Sequence, residues 1–576
     1  MLSLFKYLKK YKFMILLIFF LIFAQSMMEL LLPNIMSKVV DEGIVNKDMG
    51  IIGIQALKML VVISISIIVS LLSILLSSRI SVKFGQEIRR RVFIKVQSFS
   101  SKEVDKFGVA SLITRTTNDI TQVQNMTLLM LRMMILGPMT AIGGLIVSMY
   151  TDIKLSIILL ISIPILFIVV FMIGKKAIKL FSKIQKKLDK VNLISRENLT
   201  GIRVIRAFNK QKYEENRFDD ANRDLSNSVT KAYRIFAKLI PIMFLIFYFN
   251  SLAVVWFGSY RVADSTLMVG DLIAFIQYSN QIMISLMIFF MLFAMIPKAI
   301  SSAKRINEVL ETDFSINDIE NVKKLSDSNE VTLKFDNVSF SYNNTGEYDL
   351  ENIDFECKSG DTVAIIGGTG SGKSTILNLI SRFYEVTKGK ILLNGVDIKD
   401  ITQKELRESI GYVPQKAVLF SGTIRSNLKY GDESATDERF ERALKIAQAH
   451  EFVSNLEDGI DSYVAQGGTN FSGGQKQRLS IARALVRDSK IYMFDDSFSA
   501  LDFKTDSKLR AALKENIKNA IILIVGQRVT SVMHSDKIIV MDNGRVVGIG
   551  THKELLNNCE VYREIAKSQL SEEELS

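Results

Sequence analysis

The sequence predicts two unlike parts in series: a helical membrane domain of six spans, then an α/β domain with a phosphate-binding loop. Three observations carry that prediction. The first half holds six long apolar runs, the second half holds a glycine-rich loop behind an apolar strand, and the patterning changes between them near residue 331. A chain of 576 residues exceeds one ordinary domain. Its 48% hydrophobic content and mean hydropathy of +0.22 are high for a protein with no embedded part. The expected division is a membrane domain over 1–300, a linker over 301–330 and a nucleotide-binding domain over 331–576.

Six spans are expected at approximately 13–36, 57–78, 130–151, 155–174, 238–260 and 271–297. A hydrocarbon core of about 30 Å takes roughly 20 helical residues. A helix suits it because it pairs its backbone groups internally where lipid offers no partner. Residues 13–28 carry no charge, and neither do 59–78, 133–151, 155–174, 239–260 or 272–297. The first span must accommodate Glu29, one turn before Pro33, and this residue is expected near the outer interface. No small-residue cleavage site follows the first run, so no removable signal peptide is expected.

The net charge of +12 raises the question of nucleic acid, and its placement answers it. Basic residues crowd beside the apolar runs: Lys9, Lys10 and Lys12, then Arg89, Arg90 and Arg91, then Lys175 and Lys176. The long loop after the fourth run adds Lys179, Lys183, Lys186, Lys187 and Lys190. That is a topology signal, so membrane lipid and not nucleic acid is the expected partner. The long basic loops, 79–132 and 175–238, and both termini are therefore expected on the cytoplasmic side of the cytoplasmic membrane. The short loops, 37–58, 152–154 and 261–271, fall outside. Helical spacing in the long loops predicts that the spans continue beyond the bilayer. Cys357 and Cys559 lie in the second half without metal-ligand spacing and are expected to be free thiols.

In the second half the apolar strand Thr362–Ile366 leads into Gly367, Gly368, Thr369, Gly370, Ser371, Gly372, Lys373 and Ser374, followed by Thr375. These residues fit G-x-x-x-x-G-K-[ST], in which glycines let backbone N–H groups face phosphates, lysine meets the outer phosphates and the hydroxyl meets Mg²⁺. The helix that follows adds the positive end of its dipole. Asp495 ends the apolar strand that begins at Ile491, where a carboxylate suits Mg²⁺ directly or through water. Another apolar run, Ile521–Val525, precedes Gln527, and Asp542, Asn543 and Gly544 make a hairpin signal. Between these motifs, Ser472, Gly473, Gly474 and Gln475 follow Phe471.

With Ser472, Gly473, Gly474 and Gln475 added to the phosphate loop, the second half resembles the nucleotide-binding domain of ATP-binding cassette (ABC) transporters. The whole chain resembles an ABC exporter half-transporter of the multidrug type. The resemblance implies ATP and Mg²⁺ as cofactors. It implies that Tyr342 stacks on adenine, and that Ser374, Gln415 and Asp495 serve Mg²⁺. It also implies that Ser499–Asp502 forms the D-loop, and that Ser472–Gln475 faces an ATP held by a second subunit. Two segments, 108–119 and 198–208, resemble coupling helices that press on the ATP domains.

Two positions depart from the family pattern. Asp496 stands where the family has the glutamate that polarises the attacking water, and Gln527 stands where it has a switch histidine. Asp is one methylene shorter than Glu, and Gln cannot carry a positive charge. The pair resembles the non-consensus site of heterodimeric exporters. It implies a non-identical partner half-transporter, with hydrolysis mainly at the site the partner completes. The implied cargo is a small hydrophobic or amphipathic compound, drug-like or lipid-like. Alternatives are a homodimeric lipid or drug flippase with slow ATPase, and a regulatory ATP-binding subunit. His534 lies seven residues past the switch position and is assigned no role.

Within the spans, Met283, Met287, Met291 and Met295 form a slow spiral along one side of a helix, expected to serve packing or lipid contact. Glu29, Asn250, Gln277, Asn280 and Gln281 are expected to face protein or a wet cavity.

Overall fold

The computed structural model describes residues 2–293, 295–318, 322–323, 325, 330–343 and 346–570. The chain divides into two compact units. The first takes residues 1–98 and 108–312, and the second takes 99–107 and 313–576.

The first unit is helical. Its main helices are Lys12–Lys38, Met49–Gln97, Asn118–Thr151, Ile153–Thr200, Gln211–Ala263 and Val269–Phe293. Among the described residues six stretches are long and apolar enough to cross a membrane. The expected runs 57–78 and 238–260 lie inside helices of 49 and 53 residues. At 1.5 Å per residue the longer one reaches about 80 Å, more than twice a hydrocarbon core. The turns are short because aspartates start the next helix at once. Asp48 accepts hydrogen bonds from the backbone N–H groups of Gly50 and Ile51, and Asp152 accepts one from Leu155.

Hydrogen bonds cross the apolar interior at one level. Three consecutive residues of the helix Val269–Phe293 are involved. Asn250 accepts from the Ser162 hydroxyl at 2.9 Å and donates to Ser279. Asn280 accepts from the Ser251 hydroxyl at 3.3 Å, and Gln281 donates to the backbone carbonyl of Glu29 at 3.2 Å. Gln281 is the midpoint of its helix, so Glu29 lies level with the middle of that helix. Met283 packs in the core beside Phe275, Ile282 and Met243, whereas Met295 is exposed. The side chains of Met291, Lys176 and Lys179 lie outside the described residues.

The helix Ile296–Glu311 continues where a linker was expected over 301–330. It is held by Asp119, whose carboxylate is buried. That group accepts from Ser302 Oγ and Arg305 Nε, both at 2.8 Å, and from a second guanidinium nitrogen. Of the two segments expected to couple, 108–119 therefore packs within the helical unit. The preceding helix, Ser101–Phe107, is the one that belongs with the nucleotide unit. In the other segment Ile202, Val204 and Phe208 are exposed. Asp119→Ala removes charge-assisted bonds from a buried position, with an expected cost of about 2–3 kcal/mol. A fall of the thermal midpoint in detergent checks this, and an unchanged midpoint contradicts it.

The nucleotide unit contains two larger sheets. One has four antiparallel strands in the order Leu350–Lys358, Thr332–Phe340, Lys388–Leu393, Val396–Asp397. The other has six, in the order Arg545–Gly550, Lys537–Asp542, Thr362–Gly367, Ile521–Gly526, Ile491–Asp495, Ile410–Val413. All its pairings are parallel except the terminal hairpin. Every residue of Ile491–Asp495 and Ile521–Gly526 is buried, as central parallel strands require. The hairpin turns at Asn543 and Gly544, with φ of 46° and 75°, the signs a tight primed turn needs. The register sets Gly526 opposite Ile366 and Val525 opposite Asp495. The phosphate loop, Asp495 and Gln527 thus leave neighbouring strand ends at one edge of the sheet, where ligands of open α/β sheets bind.

Candidate nucleotide site

The phosphate loop follows the central strand Thr362–Gly367 and feeds the helix Lys373–Ile380. Two glycines are forced by the geometry. A Cβ on Gly367 would lie 2.2 Å from the carbonyl oxygen of Met541, and Gly372 has φ of 96° at the helix start. Lys373 is buried and folds back along the loop. Its ammonium donates to the carbonyls of Gly367 at 2.9 Å and Gly368 at 2.6 Å. Burial pulls the Lys373 ammonium below the ordinary lysine value, and the charges of Asp496 and Asp495 pull it back. The loop thereby holds a cation beside the N-terminus of a helix, an arrangement that suits phosphate.

Ser374 and Asp495 meet across 121 residues of sequence: the Ser374 hydroxyl donates to Asp495 Oδ1 at 2.9 Å. Burial pushes the Asp495 carboxyl up from its ordinary value. The Ser374 hydrogen bond opposes that rise, the charge of Asp496 adds to it, and Lys373 opposes it. A cation at this point would relieve the desolvated carboxylate, and hydroxyl with carboxylate is a hard-oxygen pair. The residues therefore fit Mg²⁺. Gln415 is brought to the same edge, where its Nε2 donates to Asp496 Oδ2 at 3.2 Å.

Asp496 itself sits in the left-handed backbone region with φ of 44°. Its N–H donates to the Val525 carbonyl at 3.0 Å, and its own carbonyl accepts from the Ser499 hydroxyl at 2.9 Å. The backbone is thus fixed, and only the side-chain length sets how far the carboxylate reaches. The Gln527 side chain is exposed. Its carbonyl accepts from Gln569 Nε2 at 2.9 Å, while Gln569 Oε1 accepts from the Val529 N–H at 2.8 Å. One amide near the chain's end therefore braces the loop that carries Gln527. His534 is exposed.

Ser472 caps the helix Gly473–Leu485 in a reciprocal box. Its hydroxyl accepts from the Gln475 N–H at 3.3 Å, and Gln475 Oε1 accepts from the Ser472 N–H at 2.9 Å. Ser472 and Gly473 are exposed, so the helix start is open to an anion, and Gly474 is half-buried.

Tyr342 is half-buried, with its hydroxyl 3.1 Å from Thr375 Oγ1. Its ring meets Tyr384 edge-on at 5.0 Å, and the Tyr384 hydroxyl donates to Asp105 at 2.5 Å. Burial and that bond push the Tyr384 hydroxyl well above the ordinary tyrosine value. Asp105 lies on the helix Ser101–Phe107, which Glu103 secures by accepting from the Ser315 N–H at 3.1 Å. Tyr384, Asp105 and Gln569 were missed from sequence. Each acts through a partner more than 40 residues away, and none sits in a local motif.

Fold and site together define an ATPase of the ABC class joined to its own membrane spans. A model of the ABC transporter transmembrane region matches residues 15–287, and the ABC transporter model matches residues 350–499. The chain is 37% identical to an uncharacterized ABC transporter ATP-binding protein of Mycobacterium tuberculosis, covering 98% of this chain and 97% of that one. It is also 37% identical to an uncharacterized ABC transporter ATP-binding protein of Bacillus subtilis, covering 98% of each. The fold is similar to that of a bacterial Atm1-family ABC exporter solved with ATP bound, at 24% identity and a TM-score of 0.82 over 98% and 99% of the two chains. The chain belongs to the ABC transporter family and is a multi-span membrane protein with an ATPase domain.

Proposed function

We propose that this chain is one half of a heterodimeric exporter that moves hydrophobic or amphipathic compounds out across the cytoplasmic membrane. Hydrolysis runs mainly at the composite site completed by a non-identical partner. The single observation that carries this is the pair at the hydrolytic edge: Asp496 on a fixed backbone, tied to Gln415, and Gln527 with an uncharged side chain. Reach is the first requirement of a general base, and such catalysis is typically worth ~10²–10⁴-fold.

On this reading ATP lies against the loop from Gly367 to Thr375, with Tyr342 at the adenine. Ser374, Asp495 and Gln415 hold Mg²⁺, which neutralises phosphate charge. Ser472, Gly473, Gly474 and Gln475 serve the ATP on the partner, for which an exposed helix start is suited. The basic residues of the long loops support a cytoplasmic side for both termini. The exposed apolar residues Ile202, Val204 and Phe208 suit docking on the partner's ATP domain.

The test is reconstitution in vesicles with a half-transporter that carries Glu and His at the matching positions. ATP-dependent movement of a hydrophobic dye is expected with both chains and absent with either alone. Equal transport by this chain alone contradicts the proposal.

A further inference from the structure

We propose that Gln569 and Arg510 are positioning residues for the recognition of ATP over ADP: they hold the turn 527–531 so that the Gln527 side chain meets the outermost phosphate. This rests on the ATP-binding reading above.

The strand order gives the place. The strand Ile521–Gly526 lies between the strand that feeds the phosphate loop and the strand that ends at Asp495. Gln527 is the next residue, so it leaves the sheet between Lys373 on one side and Asp495 on the other. Phosphates gripped by Lys373 and a cation on Asp495 therefore flank the point where Gln527 emerges. Gln527 is exposed there, and its amide carries N–H donors for an anion.

An exposed turn does not keep a side chain on target unaided. This one is a single turn of 3₁₀-helix, Val529–Ser531, too short to be rigid by itself. Among the described residues, side-chain hydrogen bonds reach it from two directions. Gln569 Nε2 donates to the Gln527 carbonyl at 2.9 Å, and Gln569 Oε1 accepts from the Val529 N–H at 2.8 Å. Each end of that amide meets its complement, so a flip would lose both bonds. Arg510 Nη1 donates to the Ser531 carbonyl at 2.6 Å.

Both side chains are themselves anchored beside the site. Gln569 is exposed, but Ala566 and Leu570 are buried in the cluster that holds Val529, Val532 and Ile366. Ile366 belongs to the strand that feeds the phosphate loop. Arg510 lies with its guanidinium carbon 4.3 Å from the centre of the Phe498 ring, and its Nε donates to Asp506 at 2.7 Å. Phe498 is buried and follows Asp495 closely in the chain. One side chain thus sets the turn against the phosphate loop, and the other sets it against the segment after Asp495. These bonds go to backbone atoms of the turn, which leaves the Gln527 amide available to a ligand.

The experiment uses the purified full chain in nanodiscs with magnesium. It is titrated with ADP and with the β,γ-imido analogue of ATP, both carrying the same fluorescent group on the ribose. Hydrolysis does not enter. The wild type is expected to bind the ATP analogue at least about tenfold more tightly than ADP, the scale of a hydrogen bond to a charged group. Gln527→Ala is expected to cut that preference about tenfold, and Gln569→Ala and Arg510→Met by at least about threefold each, with ADP affinity unchanged. Gln569→Glu keeps the length and the acceptor but loses the donor to the Gln527 carbonyl, and is expected to match Gln569→Ala. Because both residues act through Gln527, replacing either in the Gln527→Ala background is expected to add nothing. A merely structural role would lower ADP affinity in parallel and would add to the Gln527→Ala loss, and either result overturns the proposal. An ATP preference unchanged in Gln569→Ala or in Arg510→Met removes that residue from it. Binding of both nucleotides with no preference in the wild type overturns this proposal alone. Binding of neither counts against the ATP-binding reading itself and takes the proposal with it.

Discussion

Asp496→Glu combined with Gln527→His is expected to raise the Mg-ATPase rate of the purified chain by about 10²-fold or more, the scale of a restored general base. The structure gives the reason for expecting a gain from two side chains. The Asp496 backbone is held by the Val525 carbonyl and the Ser499 hydroxyl, so a glutamate there starts from the same point and reaches one methylene further. The Gln569 amide braces Gln527 and Val529 through backbone atoms alone, so a histidine at 527 leaves the brace intact. The rest of the pocket is already assembled, with Lys373 on its loop and Ser374 on Asp495. Phosphate release at saturating ATP checks this. Each single substitution should give less than the pair, and a double variant as slow as the parent contradicts the account.

Lys373→Ala is expected to weaken ATP binding by about 10- to 100-fold, the range for losing a hydrogen bond to a charged group. Two losses combine. The ammonium no longer meets the outer phosphates, and the carbonyls of Gly367 and Gly368 lose the donor that ties the loop's start to its helix. The strand before the loop is buried from Val363 to Gly367 and its neighbour Ile521–Gly526 is buried throughout, so the domain itself should remain folded. Titration with a fluorescent ATP analogue gives the affinity directly. Unchanged binding would mean that the loop is not the phosphate cradle.

What the sequence made legible was local or periodic. The phosphate loop, the strand ending at Asp495 and the turn at Asn543 and Gly544 each carry their signal within a few residues, because backbone conformation dictates the side chains there. The spans were legible because lipid exposure demands long apolar helices. Which helix Glu29 meets, here through Gln281, was not legible, because that contact joins residues far apart in sequence. Which unit each part of 101–119 packs with was not legible for a similar reason. The helix Ser101–Phe107 joins the nucleotide unit through Tyr384 and Ser315, while Asp119 is consumed by Ser302 and Arg305. Gln569 left no trace in the pattern, because its two bonds go to backbone atoms.

The most direct measurement is the Mg-ATPase rate of the chain purified alone, with Lys373→Ala as the background. The account predicts ATP binding with turnover close to that background, well below the roughly 1–10³ s⁻¹ typical of enzymes. Brisk hydrolysis by two identical copies, abolished by Lys373→Ala, would contradict it.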